Sequence, residues 1–191
     1  MRVVAGTAKG VPLKAVPGES TRPTTDKVKE SVFNMIGPFF DGGNALDLFA
    51  GSGGLGIEAL SRGIERAVFI EKDRKAIDIV RFNLAKTRME DRAEVYRADA
   101  NRAIKALKKN DFQARLLFLD PPYMMKEAYG LMDKAAEMGI VTQDSIVVCE
   151  HDRNVELKDR TRFYERFKKE LYGNTMVSIY RYQGEEGEII E

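Results

Sequence analysis

Between residues 44 and 149, short apolar runs alternate with stretches in which apolar residues recur every three or four positions. The runs at 45–49, 67–70, 94–97, 116–119 and 145–149 read as strands. The one at 116–119 is continuously apolar, as a strand covered on both faces should be. Helical patterns lie between them: one after a glycine cluster with a stop at Gly63, then Ile77, Val80 and Leu84, then Ala100, Ala103, Ile104 and Leu107, then Ala128, Leu131, Met132 and Ala135. Asp73 is placed to cap the second of these helices. This alternation predicts an α/β fold, a parallel sheet with helices on both sides. A ligand then lies outside the carboxyl ends of the strands, where the strand order reverses.

The two ends of the chain follow other patterns. Residues 2–5 and 11–16 are β-prone and flank turn chemistry at 7–10, which predicts a small hairpin. A connector rich in Pro, Gly and Ser leads to a helix that Thr24 or Thr25 can cap, with Asp26 in its first turn and Val28, Val32 and Met35 or Ile36 on one face. Near the other end, 163–167 and 175–182 read as an antiparallel pair that turns at Tyr172-Gly173-Asn174. The expected organisation is an N-terminal hairpin and helix extension over 1–36, a main domain over 37–184 and an acidic tail over 185–191.

At 191 residues and 43% hydrophobic content, the chain can bury one sizeable core. Its net charge of +1 hides an asymmetry, because residues 1–30 hold six Lys or Arg against three acids, while four Glu and no base follow Gly184. Arg2, Lys9, Lys14, Arg22, Lys27 and Lys29 are therefore candidates for phosphate contacts with a nucleic acid. The single cysteine, Cys149, rules out a disulfide framework and a thiolate metal cluster, and reads as a buried strand residue. The single histidine, His151, argues against a histidine metal site or triad, and reads as part of a surface loop. No metal is expected. Apolar runs are strand-sized, well below the roughly 18–20 residues of a membrane span, and the first residues lack the apolar core of a signal peptide. A cytoplasmic address and no membrane partner are the expectation.

The first chemical motif is Asp47-Leu-Phe-Ala-Gly-Ser-Gly-Gly-Leu-Gly56, in which Gly51, Gly53 and Gly56 satisfy G-x-G-x-x-G. Glycines at these positions let a cofactor lie against the backbone and let the helix pack closely on the strand. Alone the pattern is weak. Glu71 strengthens it: twenty positions after Gly51 and at the end of the next strand, it can accept hydrogen bonds from both hydroxyls of a ribose. Asp47 then separates the cofactor classes. An anion beside the loop disfavours a pyrophosphate, whereas it suits the sulfonium and ammonium of S-adenosylmethionine. Asp99, ending the third strand, is placed to accept from an adenine amine or to cap the helix beginning near Ala100, and the two roles are compatible. Phe49, Ala50, Ser52, Lys72 and Ala100 complete the candidate cofactor contacts.

The second motif, Asp120-Pro121-Pro122-Tyr123, follows the fourth strand directly. The exocyclic amine of a base is a poor nucleophile because its lone pair is delocalised into the ring. Asp120 and a proline carbonyl can accept its two N–H groups and aim the lone pair at an electrophilic methyl. Consecutive prolines fix the backbone in an extended form and keep their carbonyls free. Tyr123 offers a flat face on which a flipped base can stack.

Together these residues resemble the class I methyltransferases that act on amino groups of nucleobases. The resemblance narrows with Arg22-Pro-Thr-Thr-Asp-Lys-Val-Lys-Glu-Ser-Val-Phe-Asn34, the DLFAGSGGLGIEALSRG stretch, DPPY and the late Tyr-Gly-Asn-Thr. These are similar to the RsmD-like bacterial 16S rRNA (guanine(966)-N2)-methyltransferase family, over about residues 2–182. The resemblance implies a Rossmann-like, doubly wound seven-stranded sheet, mainly parallel with an antiparallel last strand. It also implies S-adenosyl-L-methionine as cofactor, and ribosomal RNA or an assembling small ribosomal subunit as partner. Guanine, as opposed to adenine, comes from the resemblance alone. Three rivals remain: a DNA adenine-N6 methyltransferase, for which little chain is left to read DNA sequence; an NAD-dependent oxidoreductase, against which Asp47 and the Asp-Pro-Pro-Tyr loop count; and a catalytically silent RNA-binding module.

Overall fold

The computed structural model describes residues 1–18, 25–122 and 125–185. In chain order the elements are α1 (Asp26–Ile36), β1 (Asn44–Asp47), α2 (Gly54–Ser61), β2 (Arg66–Glu71), α3 (Arg74–Thr87), β3 (Ala93–Arg97), α4 (Ala100–Lys109), β4 (Ala114–Leu119), α5 (Leu131–Glu137), β5 (Val141–Asp152), β6 (Tyr164–Tyr172) and β7 (Thr175–Tyr182). The seven strands form one sheet in the order β3-β2-β1-β4-β5-β7-β6. Strands β1 to β5 are mutually parallel, and β7 runs antiparallel to both of its neighbours. The chain winds outward from β1 to β3, then returns to β4 on the other side of β1. The crevice between the carboxyl ends of β1 and β4 is thus the switch point.

Strand alternation sends side chains to two cores. Leu46, Val68, Leu117 and Val147 face α4 and α5, with Ile104, Met132 and Tyr180. Ala45, Phe69, Phe118 and Val148 face the other way, with Phe33 of α1, Ile57 of α2 and Val80 of α3. Helix starts follow their caps: Thr25, Asp73 and Asp99 each accept from a backbone N–H in the first turn of α1, α3 and α4. Among the described residues no helix is long and apolar enough to cross a membrane.

Several expectations need revision. The N-terminal hairpin is a single antiparallel bridge, Arg2 to Pro12, closed by Val3 N–H donating to Val11 and Leu13 N–H donating to Met1. Its backbone docks instead on α2, where the Glu58 carboxylate accepts from Val4 N and Ala5 N. The helix expected around Ala128–Ala135 is divided into a tight turn, Lys126–Gly130, and α5, with the poor helix former Gly130 at the junction. Strand β5 is longer than its apolar run, because Glu150, His151 and Asp152 continue to pair with β7. His151 is consequently buried in a strand and not in a surface loop, with Nε2 within 2.9 Å of Ser178 Oγ. Cys149 is fully buried, as expected. Of the tail, only Glu185 is described, and it accepts from Arg162.

Candidate active site

The site is assembled from strand ends. Strand β1 finishes at Asp47, and the chain continues along the sheet edge, with Leu48 N–H donating to Phe118 and Ala50 N–H to Ile70. It then turns through Gly51 and Gly53, both at positive φ, into α2. The three motif glycines serve different ends. Among the described residues a Cβ at Gly51 would meet nothing within 4 Å, so this backbone borders space that they leave open. A Cβ at Gly56 would lie 2.4 Å from the Phe69 ring, so that glycine sets how closely α2 packs on β2.

Glu71 ties the loop to the end of β2. Its Oε2 accepts from Gly51 N–H at 2.9 Å, and its Oε1 accepts from Lys72 N–H and Asp73 N–H at 2.8 and 3.0 Å. A carboxylate has about four acceptor directions, so about one is left for a ligand. Asp99, at the end of β3, caps α4 through Asn101 N–H. It also pairs with Lys72 at 3.0 Å, which holds its carboxyl below the usual carboxylate range. Lys72 and Asp99 therefore bridge the ends of β2 and β3, and Ala100 is buried in the first turn of α4.

Asp47 is only 3% exposed. Burial pushes its carboxyl up to about 8, against the Phe49 N–H that favours the ionised form, and the nearby charges of Asp120 and Glu71 push in the same direction as burial. Asp120 and Glu71, at the ends of β4 and β2, thus both act on Asp47, at the end of β1 at the switch point. A cation would relieve this arrangement, and a phosphate would aggravate it.

After β4, Asp120 is half-buried, Pro121 buried and Pro122 exposed. The expectation that both proline carbonyls stay free is corrected: Pro122 accepts from Met125 N–H at 3.2 Å, which turns the chain toward α5. Among the described residues, the Pro121 carbonyl has no such backbone donor. Tyr123 and Arg22 lie outside the described residues. Sequence reasoning did not single out Tyr129, which lies next to Ala128 in the Lys126–Gly130 turn. It is buried, donates its hydroxyl to the Glu150 carbonyl at 2.7 Å, and meets His151 edge-on. Burial raises its phenol well above the usual range, and Cys149, Asp120 and Glu150 act in the same direction.

The expected phosphate contacts divide. Lys9, Lys14 and Lys27 are exposed, and Arg2 is paired with Asp26 of α1. Lys29 is no surface residue: it is 0% exposed, 3.4 Å from Glu58, and donates to the Arg2 carbonyl. It cannot touch a phosphate, because its ammonium is used inside the protein.

Comparison with known proteins places this geometry. A Bacillus subtilis protein named "Putative rRNA methyltransferase YlbH" is 53% identical over 184 residues, covering 96% of this chain and all of that protein. Ribosomal RNA small subunit methyltransferase D of Escherichia coli is 28% identical, covering 95% of this chain and 89% of that protein. The solved structure of a conserved hypothetical protein from Streptococcus pyogenes superposes with a TM-score of 0.77 at 40% identity, over 82% of this chain and 96% of that one. The family model described as conserved hypothetical protein 95 matches residues 1–181. The chain belongs to that family, the RsmD-like methyltransferases, and has their Rossmann-like class I fold.

Proposed function

We propose that this protein transfers a methyl group from S-adenosylmethionine to the exocyclic N2 amine of a guanine in small-subunit ribosomal RNA. The observation that carries the reading is the convergence of Asp47, Glu71 and Asp120 at the switch point, beside a loop whose Gly51 borders space that the described residues leave open. The names of the relatives support rRNA as the substrate.

When bound, S-adenosylmethionine supplies an electrophilic methyl on a sulfonium cation. Asp47 provides the negative charge that favours a cationic ligand over a dinucleotide. Glu71 offers its remaining acceptor direction to a ribose hydroxyl, and Asp99 offers an acceptor to the adenine amine. Phe49, Ala50, Ser52, Gly53 and Gly56 shape the loop. Asp120 and the Pro121 carbonyl accept the two N–H groups of the target amine, localise its lone pair and keep it pointed into the cleft. Tyr123 supplies the stacking face for the base. No histidine is needed, since His151 is buried and engaged with Ser178.

Two measurements check the donor site. Charge-assisted hydrogen bonds contribute about 1.5–3 kcal/mol each, so Glu71→Ala should weaken S-adenosylmethionine binding at least tenfold by calorimetry. Unchanged affinity would remove Glu71 from the site. The second follows from Asp47, which titrates near 8 when no cation is bound. A cationic ligand favours the ionised form, so binding lowers that pKa and releases a proton. Affinity should rise between about pH 6 and 8, by at most about tenfold per pH unit, and level off above. Asp47→Asn should remove that dependence and serves as the control for the ligand's own titration. NAD should not bind detectably at any pH, and tight NAD binding would favour the oxidoreductase rival.

The overall reading is tested by methyl transfer from labelled S-adenosylmethionine to small-subunit rRNA and to duplex DNA. Label should enter the rRNA. Incorporation into DNA alone would favour the adenine-N6 rival.

A further inference from the structure

Away from the cleft, the solvent side of α3 carries a second constellation. Arg74, Lys75, Arg81, Lys86 and the C-terminal cap Arg88 are all exposed, against two exposed acids, Asp78 and the N-terminal cap Asp73. Elsewhere on the surface Arg2, Arg115 and Arg162 are paired with carboxylates, while Arg102, Lys105, Lys108 and Lys109 of α4 are exposed without such a partner among the described residues. Among the described residues none of the five cations on α3 has such a partner within 4 Å. An aromatic ring sits within this cationic face. Phe82 is 50% exposed, with Lys14 Nζ 5.4 Å and Lys86 Nζ 6.0 Å from the ring centroid.

The face is joined to the cofactor loop. The next residue, Asn83, is buried, and its amide donates to the Ser52 carbonyl of the glycine loop and to the Lys14 carbonyl, each at 2.9 Å. Lys14 N–H donates back to Asn83 Oδ1 at 2.8 Å. Lys14 and Phe82 are therefore fixed relative to the loop that borders the site.

A lone exposed ring among unpaired cations does not suit an apolar protein interface, which needs contiguous apolar area. It suits a polyanion with accessible flat rings. Bases in a duplex hide their faces, whereas an unpaired base exposes one that stacks on an aromatic side chain. We infer that this face of α3, with Lys14, docks an unpaired segment of the substrate RNA, one base stacking on Phe82 and the flanking phosphates lying on the cations. The inference rests on the reading of the protein as an rRNA-modifying enzyme.

The test uses the full chain, an unstructured RNA oligomer and a small-subunit rRNA transcript, with affinity read by fluorescence anisotropy. Phe82→Ala should weaken binding of the oligomer about tenfold, and Phe82→Trp should restore it. A Lys75→Glu, Arg81→Glu, Lys86→Glu triple variant should flatten the salt dependence by about two units of slope, at roughly 0.7 per lost phosphate contact on a single strand. Affinity for S-adenosylmethionine should not change in any of them. Unchanged affinity and salt slope in these variants, with the wild type still methylating rRNA, would overturn the docking face and leave the functional reading intact. A wild type that neither binds nor methylates rRNA would overturn both. Self-association that Phe82→Ala abolishes while RNA affinity stays unchanged would reassign the face to a second copy of the chain.

Discussion

Asp120→Ala is expected to lower methyl transfer by about 100- to 10,000-fold, the range associated with a positioned group that acts on a reacting proton, while the cofactor still binds. Asp120 follows β4 at the switch point, half-buried and close enough to raise the pKa of both Asp47 and Tyr129. Its proposed work is to accept an N–H of the target amine, and no other charged side chain of the Asp-Pro-Pro-Tyr segment can take over. The substitution has a second expected signature. Removing the Asp120 charge takes away one of the causes that hold Asp47 high, so the pH at which cofactor affinity levels off should move down from about 8. Single-turnover rates and calorimetry on one preparation separate the two effects. A variant that turns over normally would remove Asp120 from the chemistry. One that no longer binds cofactor would place it in the donor site instead.

Glu58→Ala is expected to cost about 3–5 kcal/mol, the usual penalty for removing one member of a buried ion pair. For a chain of this size that is a fall in Tm of roughly 6–20 °C. Glu58 is 0% exposed, between Lys29 at 3.4 Å and Arg62 at 2.8 Å, and it also accepts from Val4 N–H and Ala5 N–H. Arg62 donates to the Pro38 carbonyl and stacks on Phe33 of α1. The carboxylate therefore joins three pieces of chain: the N-terminal segment, α1 and α2. Losing it leaves two buried cations and two backbone donors without their acceptor. Burial already holds the Lys29 amine below its usual range, outweighing the attraction of Glu58. Lys29→Met, which keeps the stem and removes the charge, should cost less and should leave RNA affinity unchanged. A fall in RNA affinity with unchanged Tm in Lys29→Met would contradict the buried position of this side chain.

The same lysine shows where sequence reading stops. Lys29, Val32, Phe33 and Ile36 form the buried face of α1, which keeps Val32 and Ile36 of the stripe read from the sequence but takes Lys29 and Phe33 in place of Val28 and Met35. What was not visible was the neutralising partner, 29 positions further along, without which a buried ammonium is too costly to consider. The Glu58–Arg62 pair on an otherwise apolar helix was the available hint. Strands with continuous apolar runs, the caps Asp73 and Asp99, and the glycine loop were legible because each is a local rule. The long β5 was not: Thr142, Gln143 and Asp144 break the apolar pattern where the register against β4 shifts, and Glu150, His151 and Asp152 extend the strand by pairing with β7. That pairing also buries His151. The acidic candidates of the site were legible from their place at strand ends, but the effect of Asp120 and Glu71 on Asp47 required the strand order. The cationic side of α3 needed burial as well, since its charges become a face only once the apolar half is packed away.

The most direct test of the central claim is nucleoside mass spectrometry of small-subunit rRNA lacking the modification, after incubation with S-adenosylmethionine and either the wild type or Asp120→Ala. The expected result is one new N2-methylguanosine per rRNA with the wild type and almost none with the variant. A methyl group on adenine, or equal N2-methylguanosine with both proteins, would contradict it.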